Sequence, residues 1–419
     1  MPESEDVHRG QFRYDNFSNT PEHRNDVSAP DVDGLPISQV SAFSIDDAAT
    51  TEIDDAFSLT GDENVGWRLG VHIAAPGLCI VADSALDREL RSRMSTVYHP
   101  AGKVTMSPPS IIEQFSLSQG RTVPVVSLYA DIDPEFAVSR IETVIEALNV
   151  TDNLDLSVIE HHFDPDLGPD QPAGCLRGRE LHVLYQLASR LRESRGEKNS
   201  HIHRKEYSFE VVEGVVSIKP RKRGSPVDVM VSELMIFANS HWGSELKNAD
   251  IAGLFRVKTK SKTGLSIVPL PHEMMGVNAY AWISSPLRRY VDLVNQRQLI
   301  AHVQSREPTY SSNSEELHSI LYDFETKYAQ YAEFQRSMER FWCVKWLLQT
   351  DQSEFEAEVL RDNLVRLDSI PLVCKADKLP QNNIGQRVLI KVLEINIFDN
   401  FANAEWIETI QLVTDEPTT

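Results

Sequence analysis

Residues Phe43 to Phe57 read FSIDDAATTEIDDAF. Asp46, Glu52, Asp54 and Asp55 fall within ten residues of one another, and no Lys or Arg lies among them. Carboxylates this close repel unless a cation sits among them. Hard divalent cations such as Mg²⁺ take oxygen ligands, so the run is a candidate Mg²⁺ site. Acidic runs are commonly solvated loop faces. Here Phe43, Ile45 and Ile53 are interleaved with the acids, which favours a partly buried segment. The Asp/Asn-Gly-Glu spacing of an EF-hand loop is missing, which removes the commonest calcium explanation.

Working outward, a chain of 419 residues has room for two or three domains and a large core. Hydrophobic residues make up 41% and charged residues 25%, ordinary for a globular protein. No apolar run approaches the length of a membrane span, and the polar, acidic start shows no signal peptide. Cys79, Cys175, Cys343 and Cys374 are scattered and form no metal or redox spacing, so a reducing, cytoplasmic location is expected. The net charge of −21 argues against a protein that coats nucleic acid non-specifically. From Gly253 to Arg297, however, seven Lys/Arg face two Asp/Glu, and such a local path can still guide a polyanion.

Residues 1–36 carry eight acids and three basic residues with no period of 2 or 3.6, and read as an irregular acidic extension. Residues 66–83 read as strand, turn and strand, Val123 to Asp133 as a strand, and Glu206 to Lys219 as a hairpin. Helices are expected over Arg179 to Arg195, Val227 to Leu246 and Pro286 to Val303. A longer one should start near Asn313, with Glu316 completing a capping box. Past Asp351 five short β runs follow in about sixty residues, the texture of a small barrel.

The second informative stretch is YAWISSPLRRYVDLVNQR, Tyr280 to Arg297. Ser285 followed by Pro286 reads as a helix start. Arg288 and Arg289 would then sit in the first turn, where cations oppose the helix dipole but suit an anion. The alternative is that Arg288 simply pairs with Asp292 one turn on.

These two motifs, in this order, resemble the signatures of the ribonuclease II (RNB) exoribonucleases, and VHIAAPG, STVYHPAGKVTMSPPSIIEQFSL and SELMIFAN between them resemble the same family. The resemblance covers roughly residues 37–350 and implies an α+β fold. An RNB-type catalytic domain of mixed sheets and helices over 37–350 would be followed by a small all-β, OB/S1-like barrel over 354–414. It implies Mg²⁺-dependent 3′→5′ hydrolysis of single-stranded RNA to nucleoside 5′-monophosphates, with Mn²⁺ a possible substitute. Asp46, Glu52, Asp54 and Asp55 match the family's acidic residues, expected to hold metal, with Glu52, Asp54, Asp55 and Arg288 catalytic. Tyr98, Glu233, Arg289 and Glu339 are expected along the RNA. The expected partner is single-stranded RNA, with no membrane, and the protein is expected to be a monomer.

The sequence departs from the family at Glu52, where better-known members carry the shorter Asp, and at Trp282. Two other functions fit the same residues: an RNA-binding protein of this fold with weak catalysis, and a phosphodiesterase acting on short oligoribonucleotides.

Overall fold

The computed structural model describes residue 12 and residues 32–171, 174–196, 206–221, 224–380 and 384–410. The acidic extension expected over 1–36 falls almost wholly outside them. Regular structure starts with β1 (Ala42–Asp46), β2 (Asp55–Asp62) and β3 (Gly66–Ala74). Then come α1 (Ala85–Arg93), a short hairpin of β4 (Val97–His99) and β5 (Gly102–Val104), and α2 (Pro109–Phe115). Two long strands, β6 (Thr122–Ile132) and β7 (Val138–Asp155), complete a closed barrel in the order β1-β2-β3-β6-β7. Neighbours run antiparallel except β1 and β7, which are parallel. Because β1 and β2 are antiparallel, the last residue of β1, Asp46, and the first of β2, Asp55, lie at the same barrel end.

Both faces are covered along part of the barrel, where successive residues are buried, as in Phe43–Ser44–Ile45 and Ala56–Phe57–Ser58. After β7 come α3 (Leu156–His162), α4 (Gly178–Ser194), the hairpin of β8 (Glu206–Val212) and β9 (Val215–Arg221), and α5 (Pro226–Asn248). Phe43, Phe57, Val71 and Leu128 pack under Leu184 of α4 and Leu234 and Trp242 of α5. The ribbon of β10 (Phe255–Lys258) and β11 (Thr263–Ser266) leads to α6 (Tyr290–Val303) and to α7 (Glu315–Gln349). Ala56, Val125 and Leu148 join a second cluster with Tyr290 and Leu293 of α6 and Phe324 of α7. Each large side chain fully buried this way contributes about 1.5–3 kcal/mol.

Three expectations shift. The second strand expected within 66–83 does not form: Pro76 opens a single 3₁₀ turn, and the Gly77 N–H is taken by Gln296 Oε1 at 3.0 Å rather than by a strand neighbour. The helix expected from Pro286 starts at Tyr290, because the Ser285 and Leu287 N–H groups bond to the carboxylates of Asp292 and Asp54. Arg289 is extended instead, at φ −137°, ψ 124°. The longest helix is capped one residue later than expected, with Ser314 Oγ accepting from Leu317 N–H.

The last five strands are β12 (Glu354–Arg361), β13 (Leu364–Leu367), β14 (Val373–Asp377), β15 (Arg387–Asn396) and β16 (Phe401–Thr409). They close as β12-β13-β14-β16-β15 with β14 and β16 parallel, the order of an OB-type barrel. Alternation is clean: Phe355, Ala357 and Val359 point in while Glu354, Glu356 and Glu358 point out. Cys343, Val344 and Leu347 of α7 enter its core. Arg340 donates to the Asn400 and Val373 carbonyls at 2.7 and 2.6 Å, fastening the barrel to α7. The fold is thus α+β, with a small barrel following a mixed domain.

Candidate active site

Four segments meet at one end of the first barrel: the end of β1, residues 52–55, the β4–β5 hairpin and the turn ahead of α6. Asp54 is their junction. Its Oδ1 accepts from the Leu287 N–H at 2.8 Å and its Oδ2 from Arg288 Nε at 3.0 Å. The carboxylate therefore ties together the two stretches that stood out in the sequence. Its backbone carbonyl accepts from Ala74 N–H at 2.9 Å, pinning it to the end of β3.

Burial pushes the Asp54 carboxyl up to about 8, with Asp55 and Glu52 adding to the rise while Arg288 and the Leu287 N–H oppose it. Burial, then the neighbouring Asp46, pushes Asp55 up to about 7. Asp46 is raised as well, chiefly by burial, against a Ser44 hydrogen bond and Arg288. Its Oδ2 is buried with no hydrogen-bond partner among the described residues. Raised carboxyls and an orphaned oxygen mark a place short of positive charge. Among the described residues no three His, Cys, Asp or Glu close into a metal cage. Mg²⁺ needs none, since it takes one or two carboxylates, keeps water and completes its shell from substrate phosphate. Asp46 and Asp55 fit that role.

Glu52 is placed differently. Its side chain is 1% exposed; Oε1 accepts from Thr96 Oγ at 2.7 Å and Oε2 meets Lys103 Nζ at 2.8 Å. Oε1 is thus hydrogen-bonded, while Oε2 has Lys103 as an ion-pair partner but no hydrogen bond among the described residues.

Tyr98 lies on β4, 44% exposed as a residue, with its hydroxyl end against Arg288, beside Glu52 and Asp54. Burial at that end pushes the phenol up to about 12. Arg288 keeps its charge: burial alone would lower its pKa, but Asp54, Tyr98, Asp55 and Asp292 together raise it. Over a third of its side chain remains exposed.

The other expected RNA contacts are scattered. Arg289 turns inward, donating to Asp292 from Nε and Nη2 at 2.7 and 2.8 Å and stacking 4.4 Å from the Trp282 ring centre. Asp292, the alternative partner considered for Arg288, is paired with Arg289 instead, and Arg288 is drawn to Asp54. Glu233 is 4% exposed and bonded by both oxygens to Arg195, which a contact with RNA would have to break. Glu339 is an exposed residue on α7.

Sequence reasoning missed Thr96, Lys103, Ser107 and Asn239. Ser107 Oγ donates to the Leu287 carbonyl at 2.6 Å. Asn239 accepts from Ile283 N–H at 2.9 Å and donates to Ser284 Oγ at 3.0 Å. Together they shape the turn that carries Arg288. The only signal available was a lone lysine in the run containing Tyr98, and its partner is visible only in three dimensions.

The profile of the RNB domain matches residues 36–264 and 257–305. The mitochondrial exoribonuclease II of Saccharomyces cerevisiae is 25% identical over 422 residues, covering 85% of this chain and 43% of that protein. The chain spans about half the length of the curated relatives it matches. Among solved structures, Mycoplasma genitalium RNase R in complex with double-stranded RNA superposes with a TM-score of 0.79 at 17% identity, over 92% of this chain and 79% of that one. Yeast Ssd1, a pseudonuclease, gives a TM-score of 0.66 at 16% identity, over 93% and 58%. With the profile covering well over half of its residues, the chain belongs to the RNB domain family.

Proposed function

We propose that this protein is a Mg²⁺-dependent exoribonuclease that shortens single-stranded RNA from its 3′ end and releases nucleoside 5′-monophosphates. The observation that carries the reading is the junction at Asp54. One buried carboxylate holds the Leu287 N–H and the Arg288 guanidinium in place, with Asp55 next to it, Asp46 against Asp55, and the Tyr98 hydroxyl at Arg288. Similarity to proteins named exoribonucleases supports it.

Asp46 and Asp55 would hold the ion, with Asp54 close by. When bound, Mg²⁺ supplies charge neutralisation at the phosphate and a more acidic water. The protein's own groups do the rest. Arg288, fixed at Nε by Asp54, presents its remaining N–H groups to the phosphoryl oxygens, where charge develops. Tyr98 offers a ring face to the terminal base; such stacking contributes about 1–3 kcal/mol per base without sequence preference. Among the described residues no helix is long and apolar enough to cross a membrane.

One observation favours RNA binding without turnover: Glu52 and Asp54 already have cationic partners in Lys103 and Arg288. Incubation of 5′-labelled single-stranded RNA with protein and Mg²⁺ separates the two readings. A ladder shortening from the 3′ end, absent in Asp54→Asn, is the expected result. Binding with no mononucleotide release refutes the enzymatic reading. Arg288→Ala should cut turnover about 10²–10³-fold, far more than it weakens RNA binding.

A further inference from the structure

The Lys103–Glu52 pair spans two elements that the chemistry needs in register. Lys103 lies directly opposite Tyr98 in the β4–β5 ladder, so both side chains leave the same face of the hairpin. Its Nζ sits 2.8 Å from Glu52 Oε2. The other Glu52 oxygen takes the hydroxyl hydrogen of Thr96, the residue just ahead of β4. Thr96 in turn accepts from Met106 N–H at 2.9 Å, just beyond β5, and donates its own N–H to the Arg288 carbonyl at 2.9 Å. A single buried carboxylate thus clamps both legs of the hairpin and, through Thr96, the backbone of the arginine turn.

Chain length at position 52 matters here. An aspartate is one methylene shorter and would withdraw its oxygens by about 1.5 Å, beyond hydrogen-bond reach of Lys103 and Thr96. Glu52 and Lys103 therefore read as a matched pair. With Lys103 22% exposed and Glu52 1%, the pair is partly desolvated, and removing either partner leaves the other charge poorly compensated.

We propose that Lys103 is a positioning residue: through Glu52 it fixes the hairpin so that Tyr98 holds the 3′-terminal base in register with Arg288. This rests on the exoribonuclease reading above. Glu52 accordingly acts as an anchor and not as a metal ligand.

The test uses the full chain and an RNA carrying 2-aminopurine at its 3′ end, bound in EDTA so that no turnover occurs. Stacking on Tyr98 quenches the fluorophore in the wild-type protein, and Tyr98→Ala sets the unquenched level. Lys103→Met loses the quench to the level of Tyr98→Ala. With Mg²⁺ it slows single-turnover cleavage about 10–100-fold, while the RNA dissociation constant moves less than about threefold. Glu52→Gln, which keeps an oxygen for Thr96 and breaks only the ion pair, gives the same pattern. Lys103→Arg restores both quench and rate. A Lys103→Met protein that quenches and cleaves within about twofold of wild type overturns the positioning role while leaving the exoribonuclease reading intact. A wild-type protein that binds the RNA but neither quenches nor cleaves removes both together.

Discussion

Gly243→Ala is expected to damage the active site from the far side of a helix. Gly243 sits inside α5, where alanine would ordinarily be favoured by about 1 kcal/mol. A Cβ there meets Ala281 N at 2.9 Å, Tyr280 N at 3.2 Å and Ala279 C at 3.3 Å, all backbone atoms. To restore ordinary contact the 279–281 segment must retreat by about half an ångström, the kind of overpacking that costs about 1–3 kcal/mol. The helix-propensity gain offsets part of that, leaving a net loss of about 0–2 kcal/mol. The displaced segment runs into the Asn239-held residues Ile283 and Ser284, and from there into the Ser285–Arg288 turn. A misplacement of 1 Å at a reacting group can cost about 10²-fold, so half of that at the base of the turn predicts about a tenfold loss of cleavage rate. Single-turnover cleavage of 5′-labelled RNA reads the rate, and urea unfolding reads the stability. A Gly243→Ala protein that cleaves at the wild-type rate and is at least as stable would show that the close approach of α5 does not set the Arg288 turn.

Three further outcomes are expected. Asp54 and Asp55 have folded-state pKa values raised to about 8 and about 7 from 3.8, so their contribution is full at pH below about 4 and is lost as pH climbs through those values. The melting temperature in EDTA should therefore fall between about pH 4 and 8, and Mg²⁺ should reduce the fall; a curve unaffected by Mg²⁺ counts against the cation site. Asp87→Asn should cost about 3–5 kcal/mol in urea unfolding, because it leaves buried Arg297, 4% exposed and 2.6 Å from Asp87, without a counter-charge. Trp282→Leu removes the ring beneath Arg289 and should destabilise the protein by about 1–2 kcal/mol; no measurable change would mean that Asp292 alone holds that arginine.

Much was legible in the chain alone. Local pattern was enough for the small barrel, since Phe355, Ala357 and Val359 alternate with glutamates and the runs are short. The acids of residues 46–55 and the arginines of 288–289 stood out by charge and spacing. Their roles diverged only in three dimensions. Arg288 and Arg289 are adjacent and chemically identical, yet one faces Asp54 and the other Asp292, because the helix starts only at Tyr290, leaving Arg288 in the Ser285 turn and Arg289 extended. Glu52 and Asp54 are two residues apart, yet one meets Lys103 and the other Arg288.

The sequence by itself determined which chemistry was available: clustered carboxylates, paired arginines, an aromatic and a family signature. Those depend on residue type and short spacing, which the chain carries openly. The tertiary structure decided the partners: which carboxylate meets an arginine and which a lysine. Those choices depend on burial and on contacts across more than two hundred residues, such as Asp54 to Arg288, where the loss of solvent makes each charge answer to its nearest neighbour.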